Sequence, residues 1–232
     1  PSAQVLETKV LIQAYQSGFY LRVGRLQDAE DVLTECVANY EHLGILPVPG
    51  FTTDPAFNLG ILALIRGDYE LALRYGEQMR QVSEGQQHRR NRQLAYHLLA
   101  EAAIGLGEYQ RAERFVRQSL ELLREAGNRW FMAYSYIQLG LVAVALKDDA
   151  SAQRYFEASY TIRDEFNDPE GKALALRHLG ETLLRQGEFE EARDRFEKGL
   201  AIFGEIQDQG GYAQVLVDLA RIDMSDRDFS SA

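Results

Sequence analysis

The sequence predicts an all-α protein, a right-handed α-solenoid of antiparallel helix pairs, and three observations carry that prediction. Small residues and aromatics recur at a fixed step of 40 residues. Within each unit the apolar residues follow the three-and-four spacing of a helix face. A glycine, or a residue standing in its register, marks the point where one helix must stop and the next begin.

The step is visible in two independent columns. Ala72, Ala112, Ala152 and Ala192 form one, preceded by Gly67, Gly107 and Gly187 with Lys147 in register between them. The pairs Leu59-Gly60, Leu99-Ala100, Leu139-Gly140, Leu179-Gly180 and Leu219-Ala220 form the other. Each unit reads as two helices, the first ending at the glycine and the second carrying an apolar stripe such as Phe189, Ala192, Phe196 and Leu200.

The elements follow in order. Unit one covers about 8–45, where Gly24-Arg25-Leu26 and Ala29 give the signature 43 residues before Ala72. The connector GILPVPGFTTDP (44–55) holds Pro47, Pro49, Gly50 and Pro55 and is not helical throughout. Units two to five cover about 51–85, 91–128, 130–168 and 170–208, and a partial sixth covers 211–232, where Phe229 and Ala232 restart the pattern. Stacked repeats have no internal boundary, so one elongated domain over 1–232 is expected.

The Leu179-Gly180 pair, turn Gly187, aromatic Phe189, Ala192 and Phe196 make the chain resemble the tetratricopeptide repeat family. It departs from the family in its period, 40 residues instead of about 34. It also lacks the proline that closes the second helix, having Arg124, Asp164 and Gly204 near that place. Longer helices and polar connections such as FNDPEG (166–171) are expected to absorb the extra residues. The 40-residue form, with GDY and GEF turns, is similar to arrays attached to bacterial signal-transducing STAND ATPases and related transcription regulators. The resemblance implies a non-catalytic module that binds a protein or peptide, or other domains of its parent chain. In that reading it is the sensor or regulatory arm of a larger signalling protein.

Composition narrows the classes further. With 25 basic and 35 acidic residues the net charge is −10, and HRRNR (88–92) is the longest basic run, so nucleic acid is not an expected partner. Cys36 is the single cysteine, which fits a reducing compartment, and a cytoplasmic location is expected. No run of about 18 apolar residues offers a membrane span. The opening PSAQVLETKV has neither signal-peptide features nor an initiator Met, and reads as an excision from a longer protein.

Chemistry-bearing motifs are missing. There is no GK[ST] after a glycine-rich stretch, no GxSxG, and no zinc spacing around His42, His88, His97 or His178. No catalytic residue, metal or cofactor is expected. Acidic pairs such as Asp148-Asp149 and Glu190-Glu191 stand where the second helices begin and complement the helix dipole.

The resemblance implies that the first helix of each unit lines a concave groove. Mapping its positions gives Phe57, Ile61, Leu64 and Ile65 in unit two, and Leu94, His97, Glu101 and Ile104 in unit three. Unit four gives Tyr134, Ile137, Leu141 and Val144, opened by Trp130, and unit five gives Leu174, Arg177, Glu181 and Arg185. The first helices of units two and four are apolar nearly all round, from tight packing or from a groove that receives a partner. Arg177 and Arg185 either clamp an anionic group or pair with Glu181. An effector held around Trp130, Tyr134 and Arg177 is a second reading. Self-assembly through the uncapped residues near 212–224 is a third.

Overall fold

The computed structural model describes residues 3–43, 55–85 and 89–230, which are helical apart from short turns. The expected loop over 44–54 and His88 lie outside the described residues. The chain divides into two compact units, Pro1–Glu125 and Ala126–Ala232.

The first unit holds α1 (Ala3–Arg22) with α2 (Leu26–Leu43), α3 (Pro55–Ile65) with α4 (Tyr69–Gly85), and α5 (Arg89–Gly105) with α6 (Tyr109–Glu125). The second holds α7 (Arg129–Ala145) with α8 (Asp149–Glu165), α9 (Pro169–Gln186) with α10 (Phe189–Glu205), and α11 (Gln209–Ser230). Turns of two or three residues join the members of each pair, so each pair is antiparallel. Neighbouring helices pack on one another along each unit, as expected of an all-α helical repeat. Two 17-residue helices, α7 and α8, with three-residue turns account for the 40-residue step. The residues beyond the usual period therefore lie in the helices. Of FNDPEG only Phe166, Asn167 and Asp168 are outside a helix, since Pro169 opens α9.

The turns show why the glycine register matters. Gly67, Gly107 and Gly187 have φ of +75°, +75° and +81°, and Lys147 takes the same left-handed conformation at +61°. In that conformation the amides of residues 147 and 148 reach back to the carbonyls of Val144 and Ala143, at 3.0 and 2.9 Å, and close α7. A side chain there costs energy that glycine does not. The next helix starts on an acidic cap: Asp148 accepts from the Ser151 amide at 3.0 Å, and Asp168 from Gly171 at 2.9 Å. Hydrogen bonds from the Ser151 side chain and backbone hold the Asp148 carboxyl below its ordinary value. Asp149 instead pairs with Arg185 at 2.7 Å.

The small residues are packing joints. A Cβ built on Gly140 would lie 2.3 Å from the Phe156 ring, and one on Gly180 would lie 2.7 Å from Phe196. Each aromatic from a second helix thus sits directly on the backbone of its own first helix. Phe156, Phe196 and the alanine column at 72, 112, 152 and 192 are all at most 1% exposed. Burying such a ring contributes about 1.5–3 kcal/mol, which a larger residue at the glycine would forfeit.

Candidate binding face of the first helices

Spacings of four and three place residues 57, 61 and 64 on one face of α3. Phe57, Ile61 and Leu64 are half-buried there and Ile65 is half exposed. On α5 the positions 40 residues on hold His97, Glu101 and Ile104, also half-buried. Leu94, expected beside them, is fully buried.

In the second unit the expected residues separate into three groups. Ile137 is a correction: it is 8% exposed and packs in a core cluster with Phe156, Ala175 and Leu179. Its cause is α9, whose Ala175 and Leu179 close over that side of α7. Leu141 and Val144 are half-buried and lean on the same cluster. The apolar character of α7 on most sides is thereby largely spent on packing within its unit.

Trp130 and Tyr134 form the second group. Their rings meet edge-on at 5.3 Å, and the Arg163 guanidinium lies 4.8 Å from the Trp130 centroid and 3.9 Å from that of Tyr134. Arg163 is 2% exposed, and its Nη1 donates to the Asp168 carboxylate at 2.6 Å. Gly171 makes room for it, since a Cβ there would stand 2.5 Å from the Arg163 Cδ. A buried cation, its carboxylate and two aromatic rings thus form one closed cluster.

The third group is the charged end of α9. Arg177 donates from Nε to Asp218 and from Nη2 to Glu181, both at 2.8 Å. His178 Nδ1 lies 3.0 Å from Glu181, and its ring stacks on Phe156 with centroids 5.0 Å apart. Arg185 bonds Asp149 and the Thr182 hydroxyl. Burial pushes the Glu181 carboxyl up, but the His178 hydrogen bond and the charges of His178, Arg177 and Arg185 together hold it below its ordinary value. The guanidinium groups are engaged by carboxylates of the chain itself.

Asp218, 3% exposed, is the residue that sequence reasoning missed. Its signal was a column at the same step: Asn58, Gln138, His178 and Asp218, interrupted by Leu98. Asn58 reaches back in the same way, donating to the Ala14 carbonyl and the Ser17 hydroxyl at 2.9 and 3.0 Å. The face also continues onto α11, where Val217 and Met224 are 61% and 69% exposed. Among the described residues no group of three or more His, Cys, Asp or Glu side chains could hold a metal. None of their helices is long and apolar enough to cross a membrane.

Paired helices, glycine joints and an accessible first-helix face define a helical repeat scaffold. The tetratricopeptide repeat profile matches residues 91–165 and 131–205, and this stretch is a tetratricopeptide repeat array. Such repeats support a protein-interaction module. A search of curated protein sequences finds no match.

Among solved structures, a Rap protein complexed with Competence and Sporulation Factor is similar with a TM-score of 0.80 at 15% identity. The match covers 94% of this chain and 64% of that one. The STAND protein with a tetratricopeptide repeat sensor from Pyrococcus horikoshii gives 0.69 at 13% identity, over 89% of this chain and 31% of that one. A thermophilic tetratricopeptide repeat protein of Thermus thermophilus gives 0.63 at 21% identity, over 91% and 99%. The chain therefore spans under two thirds of the Rap protein and under one third of the STAND protein, and these likenesses show a shared fold.

Proposed function

We propose that the chain is a non-catalytic protein- or peptide-binding repeat module, the sensor or regulatory arm of a larger signalling protein, working in the cytoplasm without nucleic acid or membrane contact. The observation that supports it is the face left on the first helices. Positions 57, 61 and 64 and their counterparts at steps of 40 keep solvent access in each unit, with Ile137 the exception. Phe57, Ile61 and Leu64 give that face an apolar character in the first unit, and Arg177, Glu181 and Arg185 a charged one in the second. An apolar patch beside fixed charges suits a polypeptide ligand. The repeat sensor of the STAND protein and the factor-bound Rap protein support reading this chain as a sensor. A bound ligand shifts attached domains only by its differential affinity for their two states.

A small effector around Trp130, Tyr134 and Arg177 is less favoured. Arg163 covers the two rings, and Asp218 and Glu181 hold Arg177.

The test is the melting temperature of the purified chain in host lysate split by ultrafiltration into large and small fractions. A rise with the large fraction, lost in Ile65→Glu, supports the polypeptide reading. A rise with the small fraction alone refutes it in favour of an effector sensor. Ile65 is the better control than Leu141, which leans on the core.

A further inference from the structure

One face of α1 breaks a rule that the other first helices obey. Ile12, Tyr15 and Phe19, at spacings of three and four, are each 60% exposed. The equivalents of Tyr15 are Asn58, Leu98, Gln138 and Asp218, none more than 4% exposed, with the half-buried His178 between them. The equivalents of Phe19 are Leu62, Ala102, Val142, Thr182 and Ile222, again none above 4%. Within each unit this leading face is covered by the preceding helix pair, as Asn58 shows by bonding to Ala14 and Ser17. On α1 three large apolar side chains occupy the same positions in the open, beside a shallow groove lined by Val5, Lys9, Gln16 and Glu35.

The opposite defect lies on α11. Ala213, Leu216 and Ala220 are exposed, also at spacings of three and four. Their equivalents Ala133 and Ala173, Leu176, and Gly140 and Gly180 are buried. At Gly140 and Gly180 the covering groups are aromatic rings, Phe156 and Phe196. The α11 face therefore offers small residues that receive rings, and the α1 face offers rings at matching intervals.

We propose that the α1 face of Ile12, Tyr15 and Phe19 docks on the α11 face of a second copy of this chain, head to tail. The occupant follows from the match. A leading face is shaped for the trailing face of a repeat of this same kind, and the open trailing face among the described residues is that of α11. Both faces are apolar, so each satisfies the other without stranding a charge. The contact is heterologous: every bound copy presents a fresh head or tail, so association continues beyond a dimer or closes into a ring. This surface uses positions other than the 57, 61 and 64 columns and is independent of the reading above.

Sedimentation or light scattering of the purified chain up to about millimolar concentration tests it. Mass should rise with concentration past that of a dimer. Phe19→Glu and Leu216→Glu should each weaken self-association by roughly thirty-fold or more, because each places a charge in an apolar contact. A mixture of the two variants should form a 1:1 heterodimer through the one intact head and the one intact tail. A wild-type chain that stays monomeric overturns the proposal. So does a Phe19→Glu chain that associates like wild type, which would mean α11 pairing with itself, or a Leu216→Glu chain that does, which would mean α1 pairing with itself. Far-ultraviolet circular dichroism checks each variant's fold, and Tyr15→Lys and Ala220→Lys replace any that fails.

Discussion

Replacing Asp168 by Asn should destabilise the second compact unit far more than a surface substitution does. Asp168 performs two tasks with two oxygens: Oδ1 caps α9 through the Gly171 amide, and Oδ2 accepts from Arg163. Asparagine keeps an oxygen for the cap and removes the charge that balances Arg163. The Arg163 side chain is 3% exposed, so water cannot take the carboxylate's place. Removing one partner of a buried pair costs about 3–5 kcal/mol. The Asp168 side chain is 19% exposed, which weakens the pair and places the expected loss near the lower end, about 3 kcal/mol. Asp168→Ala should lose about 1 kcal/mol more, for the missing cap. Trp130, the single tryptophan, lies against Arg163, so its fluorescence during urea unfolding reports on this cluster. A loss below about 1 kcal/mol for Asp168→Asn, the size of a surface ion pair, would show that Arg163 is not held as a buried cation.

Other consequences follow from joints already described. Lys147→Gly should relieve a left-handed side chain and stabilise by about 0.5–1 kcal/mol, raising the melting temperature by a few degrees in calorimetry; an unchanged or lower midpoint would contradict it. Gly140→Ala should cost about 1–3 kcal/mol in urea unfolding, because the Phe156 ring must move. Glu181 has its carboxyl lowered, so its contribution is fully present above its unfolded value and fades as pH falls through the folded one. The stability gap between wild type and Glu181→Gln should therefore narrow between about pH 6 and about pH 3; a constant gap would refute that.

What could be read from sequence was whatever repeats. The step of 40 located the helix pairs, and Lys147 in a glycine register foretold a left-handed turn now seen at φ +61°. Burial within an apolar helix was not legible. Ile137 and Tyr134 are both apolar and three apart on α7, but α9 covers one and Arg163 engages the other. Asp218 stayed hidden for a related reason, since its partner Arg177 lies 41 residues away. Arg163 needed the notch at Gly171, which only the folded chain shows.

The hydrogen bonds from Asn58 to Ala14 and from Asp218 to Arg177 span 44 and 41 residues, little more than one repeat. A chain whose partners are always this near in sequence has low contact order and little loop entropy to overcome. As it leaves the ribosome, each helix pair meets its neighbour as soon as roughly one further repeat has emerged. Such a protein can mature vectorially from its amino terminus, with each finished pair serving as the template for the next.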